Sequence, residues 1–197
     1  AETARRVLAP SDLVAKPEPP VMTPFGAGRQ ERLRRGKLIH LLFQHLPELP
    51  EKARRKAAEA FLKRQADLAP AQRKEMADAA MGVLEDKRFA AVFGPGGRPE
   101  APVIGEIGQS TINGRVDRLV ITDGEILVVD YKTDRPAPLV VDEVGDSYVA
   151  QMAAYRAVLS GRWPDRPIRC LLVWTDGPKL MEIPPSALDT AIKSMRA

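Results

Sequence analysis

The chain of 197 residues has one cysteine, Cys170, so neither an internal disulfide framework nor a cysteine-held zinc or iron–sulfur centre can be built from it alone. Five Phe, three Tyr and two Trp are too few for a surface that stacks bases in a row. No stretch approaches the roughly 18 apolar residues of a membrane span. The opening AETARRVLAP also lacks the apolar run of a signal peptide. These absences predict a soluble, cytoplasmic protein in a reducing setting with no membrane partner, and the missing initiator methionine points to a fragment or a processed chain. No GxxxxGK[ST] loop occurs, which removes the sequence basis for ATP binding. Charge of neither sign dominates: 30 Lys and Arg against 26 Asp and Glu leave +4, a balance that tolerates a polyanionic partner without demanding one.

Proline is abundant, with 18 residues. The run PSDLVAKPEPPVMTP at 10–24 carries Pro17, Pro19 and Pro20, which stop helix and central strand alike. Residues 1–28 therefore read as a Pro-rich leader or linker that either tethers the domain upstream or lies across its surface. The remainder, 29–197, reads as one domain with a helical part at 29–93 and an α/β core at 98–197. Leu33, Leu38, Leu41, Leu42 and Leu46 recur at mostly helical spacing in 29–46, and Pro47 ends that helix. Further helices are predicted at 51–67, 71–86, 146–160 and 186–195. Runs rich in Val, Ile and Leu predict strands near 101–107, 111–121, 126–132, 168–174 and 179–183. This order is that of a mixed α/β domain with a crossover helix.

The most informative segment is GRVDRLVITDGEILVVDYK, 114–132, where Asp123-Gly124 between two apolar runs predicts a two-residue hairpin turn. With Thr122 and Glu125 flanking the turn, Val120 faces Leu127, Arg118 faces Val129, and Asp117 stands opposite Asp130. The same register sets Arg115 across from Lys132. Opposed carboxylates in an antiparallel pair repel, so something must compensate. One answer is an ion-pair network with Arg115 and Lys132; the other is a hard divalent cation, for which carboxylates, waters and a phosphate are the natural ligands. Two acids that hold a metal against a phosphate, with an amine one pleat along, suit phosphodiester hydrolysis.

GRVDRL at 114–119, DYK at 130–132 and QMAAY at 151–155 together resemble the PD-(D/E)xK nuclease superfamily in its RecB-like branch. EAPVIGEI, Tyr148 to Arg156 and LLVWTDGPKLMEI narrow the likeness to the C-terminal nuclease domain of bacterial AddA helicase–nucleases, over roughly residues 30–195. The resemblance implies a restriction-endonuclease-like core, with a central mixed sheet, flanking helices and an N-terminal helical region. It implies a metal site of His40, Asp117, Asp130 and the Tyr131 main-chain carbonyl, with Lys132 as the catalytic lysine. Glu100 in PEAP corresponds to the family's acid before its first core strand, and Gln151 and Tyr155 to residues that support the site from behind or position DNA. The implied cofactor is Mg²⁺, with Mn²⁺ or Ca²⁺ able to take its place. The implied partners are DNA, single-stranded at the active site, the helicase portion of the same parent polypeptide and an AddB-like subunit, in repair of double-strand breaks.

On pattern alone, His40 is a packed or solvent-facing helical histidine; Gly36, one turn earlier, would let backbone or substrate approach the imidazole. His45 reads as a surface residue near a helix end. Tyr148 fits either stacking on a single strand or core packing, and Trp163 and Trp174 read as packing residues. Arg29, Arg32, Arg34, Arg35, Lys37, Lys52, Arg54, Arg55 and Lys56 fit either a phosphate path or a solvated helix face. Cys170 reads as a small buried strand residue. Two further functions fit the residues: an inactive DNA-binding or scaffold domain, and a metal-dependent phosphoesterase with another substrate.

Overall fold

A computed structural model describes residues 6–10 and 27–196. The sheet is organised on β3, Ser110–Ile121. Along one side β3 pairs antiparallel with β2, Gly97–Ile107, from Gly97↔Val120 to Ile107↔Ser110. Two strands share its other side. The antiparallel β4, Ile126–Lys132, covers its end from Arg118↔Val129 to Ile121↔Ile126, and the parallel β1, Arg6–Leu8, covers its start. Next to β4 runs the parallel β5, Ile168–Trp174, followed by the antiparallel β6, Lys179–Ile183. Every residue of β4 is buried, as expected for an apolar strand covered on both faces. The parallel step from β4 to β5 needs a crossover, which α4, Asp146–Arg162, supplies. β2 accepts Pro99 and Pro102 because it is an edge strand.

Helices cover both faces of this mixed sheet. α1, Ala27–His45, brings Leu38, Ile39, Leu42 and Phe43 onto Val120, Leu127, Val129, Leu171 and Val173; α2, Glu51–Lys63, and α3, Pro70–Leu84, close that layer. On the opposite face Met152, Ala153 and Leu159 of α4 meet Ile126, Val128, Cys170 and Leu172, with α5, Pro185–Arg196, alongside. The Arg118 guanidinium, buried at 2% exposure, donates from Nε to the Val92 carbonyl at 2.8 Å and so ties the end of the helical part to β3.

The predicted elements are present, and their ends differ for local reasons. β2 starts at Gly97 rather than 101, since pairing with β3 extends to Val120. α2 stops at Lys63 rather than 67, because Gln65 and Asp67 turn back to accept hydrogen bonds from Arg34. Leu33 is 66% exposed, because α1 meets the sheet only from the buried Arg35 and Gly36 onward. Arg6–Leu8, within the stretch read as a leader, forms a strand of the sheet; Pro17, Pro19 and Pro20 lie outside the described residues.

Much of the basic cluster is engaged in the fold. Arg34 pairs with Asp67, Arg55 with Asp78, and Arg54 donates to the Pro47 and Leu49 carbonyls. Arg35 grips Glu75 of α3 through Nε and Nη2 and also reaches the Thr133 carbonyl, while Arg135 pairs with the same Glu75. Burial opposes ionisation of Glu75, but the two arginines outweigh it and hold its carboxyl below the usual range. This knot fixes α1 against the end of β4.

Candidate active site

The predicted hairpin register holds as far as Arg118↔Val129 and stops there. Asp117 and Asp130 are not joined as the next ladder pair; instead the Tyr131 amide donates to Asp117 Oδ2 at 2.7 Å, and the two strands part. A side-chain carboxylate thus accepts a main-chain N–H beside a second acid, where a regular pair would press like charges together. The expected opposition of Arg115 to Lys132 is lost with the ladder. Lys132 pairs with Trp174 of β5, whereas Arg115 pairs with Pro102 and directs its guanidinium to Glu100 at 3.6 Å. α4 fills the opening: the Tyr155 hydroxyl donates to the Arg115 carbonyl at 2.8 Å, with the ring against Gly114, where a Cβ would meet it at 2.9 Å.

The pairs Pro99↔Arg118 and Ala101↔Val116 bracket Glu100 level with Asp117 on the other flank of β3. Glu100 holds a φ of +51°, a left-handed backbone that costs about 1–3 kcal/mol for such a residue.

His40 arrives from α1. Its Nδ1 lies 3.4 Å from Asp117 Oδ1, and its Nε2 lies 3.0 Å from the Tyr131 carbonyl oxygen. The close approach at Gly36 is that of Thr133, whose Oγ1 would stand 2.9 Å from an added Cβ. Gly36→Ala should therefore push α1 off the end of β4 and lower the thermal midpoint. Thr133→Ala in the same chain should restore it; thermal melts of the two variants check the pair.

Asp130 and Lys132 lie deeper. Lys132 Nζ is 2.7 Å from Asp130 Oδ2, and the two side chains are 10% and 7% exposed, against 31% and 16% for His40 and Asp117. The ammonium also approaches Gln151 Oε1 at 3.4 Å, and Gln151 stands one turn before Tyr155 on the same face of α4. Burial raises the Asp130 carboxyl above its ordinary range; Lys132 opposes that rise and the Asp117 charge adds to it. Burial likewise disfavours the His40 imidazolium, but Asp117, with Asp130 behind it, outweighs burial and raises the imidazole.

Among the described residues no three His, Cys, Asp or Glu side chains stand close enough to hold a metal by themselves. The Tyr131 carbonyl is a further oxygen donor: it stands at hydrogen-bond distance from His40 Nε2, 3.0 Å, a separation that adjacent donors of an octahedral ion bound at about 2.1 Å also have. Asp117 lies against His40 and Asp130 is held by Lys132, so the donors on offer are mainly hard oxygens plus one imidazole. This chemistry fits a hard divalent ion, which His40, Asp117, Asp130 and the Tyr131 carbonyl could hold.

A mixed sheet between helical layers, with two acids and a lysine where its central strands part, defines a restriction-endonuclease-like fold. The chain belongs to the PD-(D/E)XK nuclease superfamily, whose family model matches residues 19–190. Nucleases of this superfamily are generally divalent-metal dependent. No curated protein matches the chain. A solved structure described as "Putative exonuclease" from Eubacterium rectale is similar at 13% identity and a TM-score of 0.54, covering 82% of this chain and 64% of that one. The chain thus spans under two thirds of that protein's length. The structure of SSO0001 matches at 13% identity and a TM-score of 0.34, covering 87% of each chain.

The structure gathers His40, Asp117, Asp130, Tyr131, Lys132, Gln151 and Tyr155, and sets Glu100 on the adjoining strand. His45 is exposed at the end of α1, and Trp174 is buried against α4. Burial pushes the Cys170 thiol up to about 12, as expected of an inert strand residue. Thr133, opposite Gly36, was not foreseen; no local pattern marks a contact between a helix and a strand 97 residues away in the chain, 133 − 36. Tyr148, read only as a stacking or packing residue, shares a helix face with Gln151 and Tyr155; the spacing i, i+3, i+7 is the signal that marks it.

Proposed function

We propose that this chain hydrolyses phosphodiester bonds in DNA with Mg²⁺, acting on single strands delivered by a helicase portion of the same parent polypeptide. The observation that supports it most is the meeting of His40, Asp117, Asp130, Lys132 and the Tyr131 carbonyl at the parting of β3 and β4. Mn²⁺ or Ca²⁺ could take the same place. The likeness to AddA nuclease domains in EAPVIGEI, GRVDRLVITDGEILVVDYKTDRP, Tyr148 to Arg156 and LLVWTDGPKLMEI supports a setting in double-strand break repair beside an AddB-like subunit.

Asp117 and Asp130, with His40 and the Tyr131 carbonyl, are the proposed holders of the ion. When bound, a divalent ion supplies Lewis acidity at a phosphoryl oxygen. Lys132 orients the attacking water or balances charge that develops on the phosphate. Gln151 holds the Lys132 ammonium and Tyr155 holds the Arg115 carbonyl, so both set the shape of the opening. Glu100, level with Asp117, adds an acid at its outer edge and keeps Arg115 near the path of a phosphate.

Labelled single-stranded and duplex DNA, RNA and a small phosphodiester, each incubated with Mg²⁺ or with chelator, test this reading. Mg²⁺-dependent cleavage of single-stranded DNA is expected. Equal, negligible cleavage with retained DNA binding would instead make the chain a scaffold, and cleavage confined to the small ester would make it another phosphoesterase.

A further inference from the structure

We propose that Tyr148 is the positioning residue for Lys132, its ring forming a shelf that keeps the ammonium directed into the opening; this rests on the nuclease reading above. Lys132 Nζ lies 3.6 Å from the centroid of the Tyr148 ring. Two anchors fix that ring. Its hydroxyl donates to Asp134 Oδ2 at 2.6 Å, and it meets Trp174 edge-on with centroids 6.2 Å apart. Asp134 lies two residues beyond Lys132, and Trp174 is the ladder partner of Lys132 on β5, so both anchors sit beside the lysine.

A lysine ammonium is a compact charge on a flexible four-carbon stem with three N–H donors, and a site that uses it must remove that freedom. Here the ammonium faces Asp130 Oδ2, Gln151 Oε1 and the ring. The carboxylate is the contact that a bound cation competes for. The other two come from α4, one turn apart, and do not depend on Asp130. The face of an aromatic ring attracts a cation without presenting a charged acceptor, so it holds the lysine while leaving it N–H groups for a phosphate or water. This also decides between the two sequence readings of Tyr148: the ring face toward the site is taken by Lys132, which leaves it little use as a platform for a base.

The test compares Tyr148→Phe and Tyr148→Leu with the wild type by two readouts: kcat and KM on single-stranded DNA, and the NMR shifts of the Lys132 ε-methylene protons, assigned through Lys132→Arg. Ring currents move protons above an aromatic face upfield, whatever the activity. The Leu variant should lose about tenfold in kcat with KM within about twofold, and the Phe variant, which keeps the ring, should recover most of that loss. The upfield shift should be present in the wild type and the Phe variant and absent from the Leu variant. A Leu variant with full kcat, a Phe variant as impaired as the Leu one, or no upfield shift in the wild type would overturn the proposal. No cleavage by the wild type with the shift intact would count against the nuclease reading while supporting the shelf itself.

Discussion

Asp117→Ala is expected to remove nearly all metal-dependent cleavage, a loss of about a thousandfold, while the fold survives. Asp117 touches two other parts of the site at once: its Oδ1 faces His40 and its Oδ2 takes the Tyr131 amide, which sets the carbonyl of the same residue beside His40 Nε2. Alanine removes one ligand and releases two. Metal affinity should therefore fall along with turnover, and titration calorimetry with Mn²⁺ should show it. The side chain is 16% exposed and lies beyond the last ladder pair, so water can reach the orphaned Tyr131 amide and the stability cost should stay near 1–2 kcal/mol. Asp117→Asn should retain the fold still better and remain inactive, which separates loss of charge from loss of shape.

Lys132→Met is expected to lower turnover by about a hundredfold or more while Mn²⁺ still binds, because it removes the amine and leaves the proposed ligands in place. Its stability effect should be the larger of the two. Breaking a buried ion pair strands the surviving charge, at a cost of about 3–5 kcal/mol unless that charge is neutralised. Asp130 has a way out: its carboxyl is already raised by burial and by Asp117, and without Lys132 it should take up a proton more readily still. A carboxyl raised in the folded state binds its proton more tightly there than in the unfolded chain. Its contribution to stability is thus most favourable below the ordinary value of 3.8 and declines as pH rises above it. Relative to the wild type, the Met variant should lose stability as pH is raised from about 4 toward neutrality, and added Mn²⁺ should restore part of it. Thermal melts at several pH values, with and without the ion, give this directly.

The hairpin was legible because Asp-Gly between two apolar runs fixes a turn, and a turn fixes register; Arg118↔Val129 follows from that arithmetic alone. The arithmetic fails one pair later for a reason present in the same sequence. Opposed acids do not extend a ladder, and the strand was bound to change where Asp117 met Asp130. What could not be read was the replacement, a side chain accepting the Tyr131 amide with α4 filling the gap through Tyr155, since both depend on where a distant helix packs. Arg35 shows the same limit. It reads as one of several surface cations, yet it is buried and spans Glu75 and Thr133, and only the packing of α1 against α3 and the end of β4 distinguishes it from its neighbours. Charge composition alone assigned such residues to phosphate or to solvent, whereas many of them hold the scaffold that brings His40 to the acids.

Crystals soaked in Mn²⁺ and measured at the manganese absorption edge would examine the parting of β3 and β4 most directly. An anomalous peak contacted by Asp117, Asp130, the His40 imidazole and the Tyr131 carbonyl, and missing from Asp117→Ala crystals, is the predicted result. No peak there in active, well-ordered crystals, or a peak held by other residues, would contradict the site assigned to this nuclease.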